Sequence, residues 1–141
     1  MKVFRSEHGF LLRLHKGEEI HEALREAARE RGLRGGVVSG VGAVEGSVLG
    51  YYHLDRREYE RREEPGIAEL LSLAGNLSRK DGDPFLHAHA VLMRRDFSLA
   101  GGHLFRAVTA VTVELAVTLP DLDLIRLPDR EMGLPLLEAG P

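Results

Sequence analysis

The sequence predicts an α+β fold: a mainly antiparallel β-sheet carrying one long N-terminal helix. Three observations predict it. Only one stretch, Gly17 to Arg31 (GEEIHEALREAARER), has helical periodicity. Apolar runs of strand character recur through the rest of the chain, the densest being Ala107 to Leu119 (AVTAVTVELAVTL). Short polar or glycine-marked breaks of hairpin length separate these runs, and a parallel doubly wound sheet would need more crossover helices than the chain offers.

Gly9 to His15 alternates as a strand, with Phe10, Leu12 and Leu14 on one face. In the helix, Ile20, Leu24, Ala27 and Ala28 fall on one side, and charged residues cover the remainder. Acidic residues open it, basic ones close it, and Gly32 is its expected stop. The glycine-rich segment Leu33 to Tyr52 reads as strand, turn, strand. It lacks the GxxxxGK[ST] pattern of a phosphate loop, and no helix start follows Gly40-Val41-Gly42, so tight sheet packing is the preferred reading. Leu54 to Glu64 reads as a charged edge strand, Pro65-Gly66 as a turn and Ile67 to Leu77 as a buried strand. Ser78 to Pro84 reads as a polar loop. In Ala107 to Leu119 the residues Val111, Val113, Leu115 and Val117 share a face. A short strand is expected near Leu124 to Leu127, followed by an irregular tail over 128–141. No repeat or internal boundary is visible, so residues 1–141 are expected to form a single domain with its core at about 4–127.

Composition narrows the function. The 141 residues are 43% hydrophobic and 29% charged, as in a globular protein, with a formal net charge of −3. That charge disfavours tight binding to phosphate backbones. There is no cysteine, which excludes disulfides and thiolate metal sites and leaves imidazoles and carboxylates for any transition metal. No leader or membrane span is apparent, and a cytoplasmic location is the expectation.

Three of the seven histidines lie in DPFLHAHAVLMRRDFSLAGGHL, Asp83 to Leu104. His87 and His89 are two apart in a strand pattern and project to one face, continued by Val91 and Met93; Leu86, Ala88, Ala90 and Leu92 line the other. If the chain doubles back near Arg94 to Ser98, the Gly101-Gly102 pair brings His103 beside them. Three neutral imidazoles meeting at one point suit zinc or a similar divalent transition metal with one position open. The alternative for the His-x-His pair is two histidines on a half-exposed strand with no ion. Two carboxylates stand out in apolar strands: Glu69, a hydrogen-bonded or paired group or else a proton handler or metal neighbour, and Glu114, facing solvent or reserved for a partner such as another subunit; either is a candidate catalytic base.

Several segments together resemble the PPC domain, also called PCC, shared by plants and prokaryotes. They are FLLRLHKGEEIHEAL, GVGAVEGSVLGYY, ELLSLAGNLS, PFLHAHAVL and GGHL, in the family's order and spanning about Phe4 to Leu127. The resemblance implies a compact α+β domain around a largely antiparallel sheet, assembled as a homotrimer, with His87, His89 and His103 clustered as a metal site. Plant members join this domain to AT-hooks that bind AT-rich DNA; this chain has no Arg-Gly-Arg-Pro core. Three functions follow as expectations. The first is a homotrimeric metal-binding module with a regulatory or small-ligand role. The second is DNA binding through the trimer surface. The third is a zinc-dependent enzyme using Glu69 or Glu114.

Overall fold

In the computed structural model, which describes residues 1–141, strands β1 (Lys2–Ser6) and β2 (Gly9–His15) form a hairpin. Helix α1 follows at Ile20–Glu30, and six further strands complete the chain. These are β3 (Gly36–His53), β4 (Glu58–Lys80), β5 (Asp83–Met93), β6 (Leu99–Thr118), β7 (Leu124–Asp129) and β8 (Leu134–Ala139).

The expected α+β class with one long N-terminal helix is therefore corrected to a mostly β fold with one short helix. The helix has 11 residues because its first candidate turn is used for something else. Gly17 takes a φ of +89°, and Glu19 is extended and caps the helix, its carboxylate accepting from the Glu22 amide at 2.9 Å. Arg31 closes the other end and Gly32 leaves it at φ +59°. Ile20, Ala23, Leu24, Ala27 and Ala28 bury the inner face.

The sheet exceeds expectation because apparent turns are irregularities inside continuous strands. Leu33 to Tyr52 is no hairpin: Gly36–His53 is one 18-residue strand. Pro65-Gly66 is likewise no turn. It lies within the 23-residue β4, where two residues oppose the single Gly46 across a register shift. Ser78 to Pro84 is not a loop either, since β4 runs to Lys80 and only Asp81-Gly82 reverse the chain. Another register shift turns Val111 outward, 67% exposed and off the face it was expected to share with Val113, Leu115 and Val117, which are buried. The tail expected to be irregular forms β8, paired antiparallel to β7.

Pairing is antiparallel except for one parallel contact of β4 with β7 at Arg79 and Ile125. The order is β1-β2-β6-β3-β4-β7-β8, and β5 pairs with both β4 and β6. Strands β3, β4, β5 and β6 thus close a circuit of hydrogen-bonded neighbours. One face of this arrangement packs with α1 into a core of 24 buried residues, including Leu12, Leu24, Leu73, Leu92, Leu104 and Leu115. Full burial of each leucine contributes about 1.5–3 kcal/mol. On β5 the alternation holds as predicted: Leu86, Ala88, Ala90 and Leu92 are buried, so His87 and His89 must face away from the core.

Candidate metal centre

The circuit closes at His103. Its backbone lies opposite His89 of β5 on one side and Gly50 of β3 on the other. Directly opposed residues on neighbouring strands point to the same face, so His103 joins His89, and His87 lies two residues along. The Gly101-Gly102 pair achieves this by close approach. Neither glycine has a positive φ, but a Cβ on Gly102 would lie 2.7 Å from the Gly50 carbonyl oxygen. Gly75 serves β5 similarly: a Cβ there would meet the His87 carbonyl oxygen at 2.1 Å.

The three rings sit 5.3 Å (His87–His89), 5.2 Å (His87–His103) and 5.5 Å (His89–His103) apart, centre to centre. Each offers one nitrogen, and these nitrogens lie within 4.8 Å of one another. A tetrahedral ion with bonds of about 2.0–2.1 Å draws its ligands to roughly 3.4 Å apart, so the three rings would close in on an ion they hold. The fit is also chemical. His103 Nδ1 is buried with no hydrogen-bond partner, an orphan that a ring held in water would not have. Burial, reinforced by the neighbouring imidazoles, depresses the His103 pKa to about 4. Burial and then the Arg126 charge lower that of His87. Both rings are neutral near pH 7, the form that ligates a metal.

Glu69 and Glu114 do not join the trio. Both are exposed, and together they line a separate surface cavity with Val41, Leu71 and Thr112. Glu69 pairs in register with Met93, four residues beyond His89, and Glu114 with Arg13 and Val41.

Sequence reading passed over the residues that wall the histidines. A cavity of about 200 Å³ is lined by His87 and His103 with Tyr59, Phe85, Phe105, Arg126 and Leu134 to Leu136. Tyr59 and Phe105 pack at a tilt against His103, ring centres 5.0 and 4.6 Å away. Arg126, 9% exposed, donates to Asn76 Oδ1 at 2.7 Å, to the Pro135 carbonyl at 3.3 Å and to Ser78 Oγ at 3.4 Å. The available signal was a single cation inside the apolar run Leu124 to Leu127, facing the lone amide Asn76 of an apolar strand.

A mostly β scaffold that gathers three imidazoles over a closed strand circuit defines a candidate metal-binding class. Comparison with known proteins specifies the family: the profile of the Plants and Prokaryotes Conserved (PCC) domain matches residues 1–119, and the chain belongs to that family. Among solved structures, the chain resembles a plant- and prokaryote-conserved protein from Pyrococcus horikoshii. Identity is 30%, the match covers 99% of this chain and 95% of that one, and the TM-score is 0.86. It also resembles a protein from Archaeoglobus fulgidus described as metal-containing, at 38% identity, 96% and 98% coverage and TM-score 0.84. A Ralstonia eutropha protein described as a candidate DNA-binding protein shares the fold at 24% identity, 99% and 96% coverage and TM-score 0.90. Comparison with curated proteins finds no match.

Proposed function

We propose that the chain is a metal-binding PCC-domain protein in which His87, His89 and His103 hold zinc or a similar divalent transition metal, leaving one position open to a small ligand. The convergence of the three imidazoles carries this reading. The description of the Archaeoglobus relative as metal-containing supports it. An ion bound by three neutral ligands keeps its full charge and acts as a Lewis acid toward whatever fills the open position. No carboxylate stands beside the trio to serve as a base, so a regulatory or ligand-sensing role suits the site better than hydrolysis.

The unit of action in this proposal is a homotrimer, as the family resemblance implies. Val41, Leu71 and Val91 are exposed on neighbouring strands β3, β4 and β5, an apolar surface that a second copy would cover. No helix of the chain is long and apolar enough to cross a membrane.

The test is elemental analysis of protein purified without a histidine tag, beside the His87→Ala/His89→Ala variant. About one metal ion per wild-type chain and none in the variant is the expected result. A gel-shift assay with duplex DNA at low salt addresses the DNA-binding alternative, and no retardation is expected from a chain of net charge −3 without a hook.

A further inference from the structure

Arg126 is an almost fully buried cation with no acidic partner. Its three hydrogen bonds go to an amide oxygen, a hydroxyl and a carbonyl, all neutral. A guanidinium has five N–H donors, so two remain uncommitted. None of the nine residues lining the adjoining cavity is an aspartate or glutamate. The chamber therefore carries a positive charge before any metal enters, and a divalent ion on three neutral imidazoles would add two more. Buried charge in this state calls for an anion. The remaining walls select its body: Phe85, Phe105, Leu134, Pro135 and Leu136 are apolar. At about 200 Å³ the cavity is smaller than the roughly 300–1,000 Å³ of a drug-sized site.

We infer that this cavity binds a small organic carboxylate, its charge held by Arg126 and its apolar body packed on Phe85, Phe105 and Leu136. Carboxylate geometry matches the planar guanidinium fork. A phosphate dianion would have to be dehydrated against a mostly apolar wall. For its second anchor, the open coordination position beside His87 and His103, the inference rests on the metal reading above; the Arg126 contact stands without it.

The test is calorimetric titration of zinc-loaded and zinc-free protein with benzoate, with benzyl alcohol as the neutral analogue and inorganic phosphate as the compact anion. Benzoate is expected to bind both forms, more tightly with zinc, and at least tenfold better than either comparison compound. Arg126→Gln should weaken benzoate at least tenfold with zinc content unchanged. Because Arg126 also ties β7 to β4, a second variant, Leu136→Trp, fills the cavity while leaving the guanidinium and its three partners in place, and should weaken benzoate as well. No benzoate binding by the wild type, phosphate binding more tightly than benzoate, or a folded variant within twofold of the wild type would each overturn the inference. Elemental analysis of the same samples separates the two readings. Benzoate binding through Arg126 without zinc uptake sinks the metal reading alone, and zinc uptake without benzoate binding sinks this one alone.

Discussion

Gly75→Ala puts the account of the site under the sharpest strain. The new Cβ would stand 2.1 Å from the His87 carbonyl oxygen and 2.8 Å from the Ala88 Cα, both backbone atoms. Real Cβ contacts essentially never fall below 3.0 Å, so β4 and β5 must part by about 0.9 Å at the residue that presents His87. Overpacking of this kind costs about 1–3 kcal/mol. With a urea dependence of about 1–3 kcal/mol per molar, the unfolding midpoint should drop by about 1 M. Zinc holds its nitrogens within about 0.2 Å of the 2.0–2.1 Å bond length, so a displaced ring is ligated only at the expense of added side-chain strain. Because β5 is also hydrogen-bonded to β6 in the closed circuit, a shift of β5 away from β4 moves His87 and His89 against His103. Zinc affinity, read by competition with a chromogenic chelator, should therefore fall at least tenfold. Gly82→Ala is the control. Gly82 has φ +86° but nothing within 4 Å of its missing Cβ, so alanine there should cost about 1–2 kcal/mol of backbone strain and leave zinc affinity unchanged. Wild-type zinc affinity and midpoint in Gly75→Ala would show that the β4–β5 spacing does not position the trio.

Other outcomes follow from the same structure. Metal-free protein should keep its stability above pH 6.5 and lose it as pH falls toward 4. The folded state resists protonation of His103, whose pKa is depressed to about 4, while the unfolded chain takes up the proton near 6.5. The difference amounts to at most about 3 kcal/mol, and His103→Gln should flatten that segment of a melting-temperature profile. Leu104→Ala, at a fully buried position beside His103, should cost about 2–5 kcal/mol in denaturant unfolding. Glu69→Gln and Glu114→Gln should each leave zinc content intact in elemental analysis, because both side chains are away from the histidines. If the proposed homotrimer forms, Val91→Glu should shift sedimentation from trimer toward monomer, as it places charge in the exposed apolar surface of the proposed contact.

What the sequence disclosed, and what it hid, follows from the range of the forces involved. Alternation on Gly9 to His15 and on β5 reports which face meets the core, and those faces are buried as read. The amphipathic side of α1 is read equally well, but its length is not. Glu19 could extend the helix or cap it, and the choice depends on contacts made elsewhere: its carboxylate also accepts from the Ala107 amide, 88 residues away. Gly46 and Gly66 carry the left-handed backbone of a turn but are bulges, because the register of the partner strand decides which. At the site, the i,i+2 spacing puts His87 and His89 together by local geometry alone. The placement of His103 needs the Gly101-Gly102 pair, and the glycines act through strand approach rather than a turn. Arg126 stands out in sequence only as a lone cation in an apolar run; its partners Asn76, Ser78 and Pro135 become neighbours only once β7 and β8 are placed beside β4.

X-ray absorption at the zinc edge of the tag-free, zinc-loaded protein tests the central claim most directly. The account predicts three imidazole nitrogens at about 2.0–2.1 Å plus one exchangeable oxygen ligand, with the imidazole contribution reduced in His103→Gln. A spectrum fitted by water and carboxylate oxygens alone, or one indifferent to the loss of His103, would contradict it.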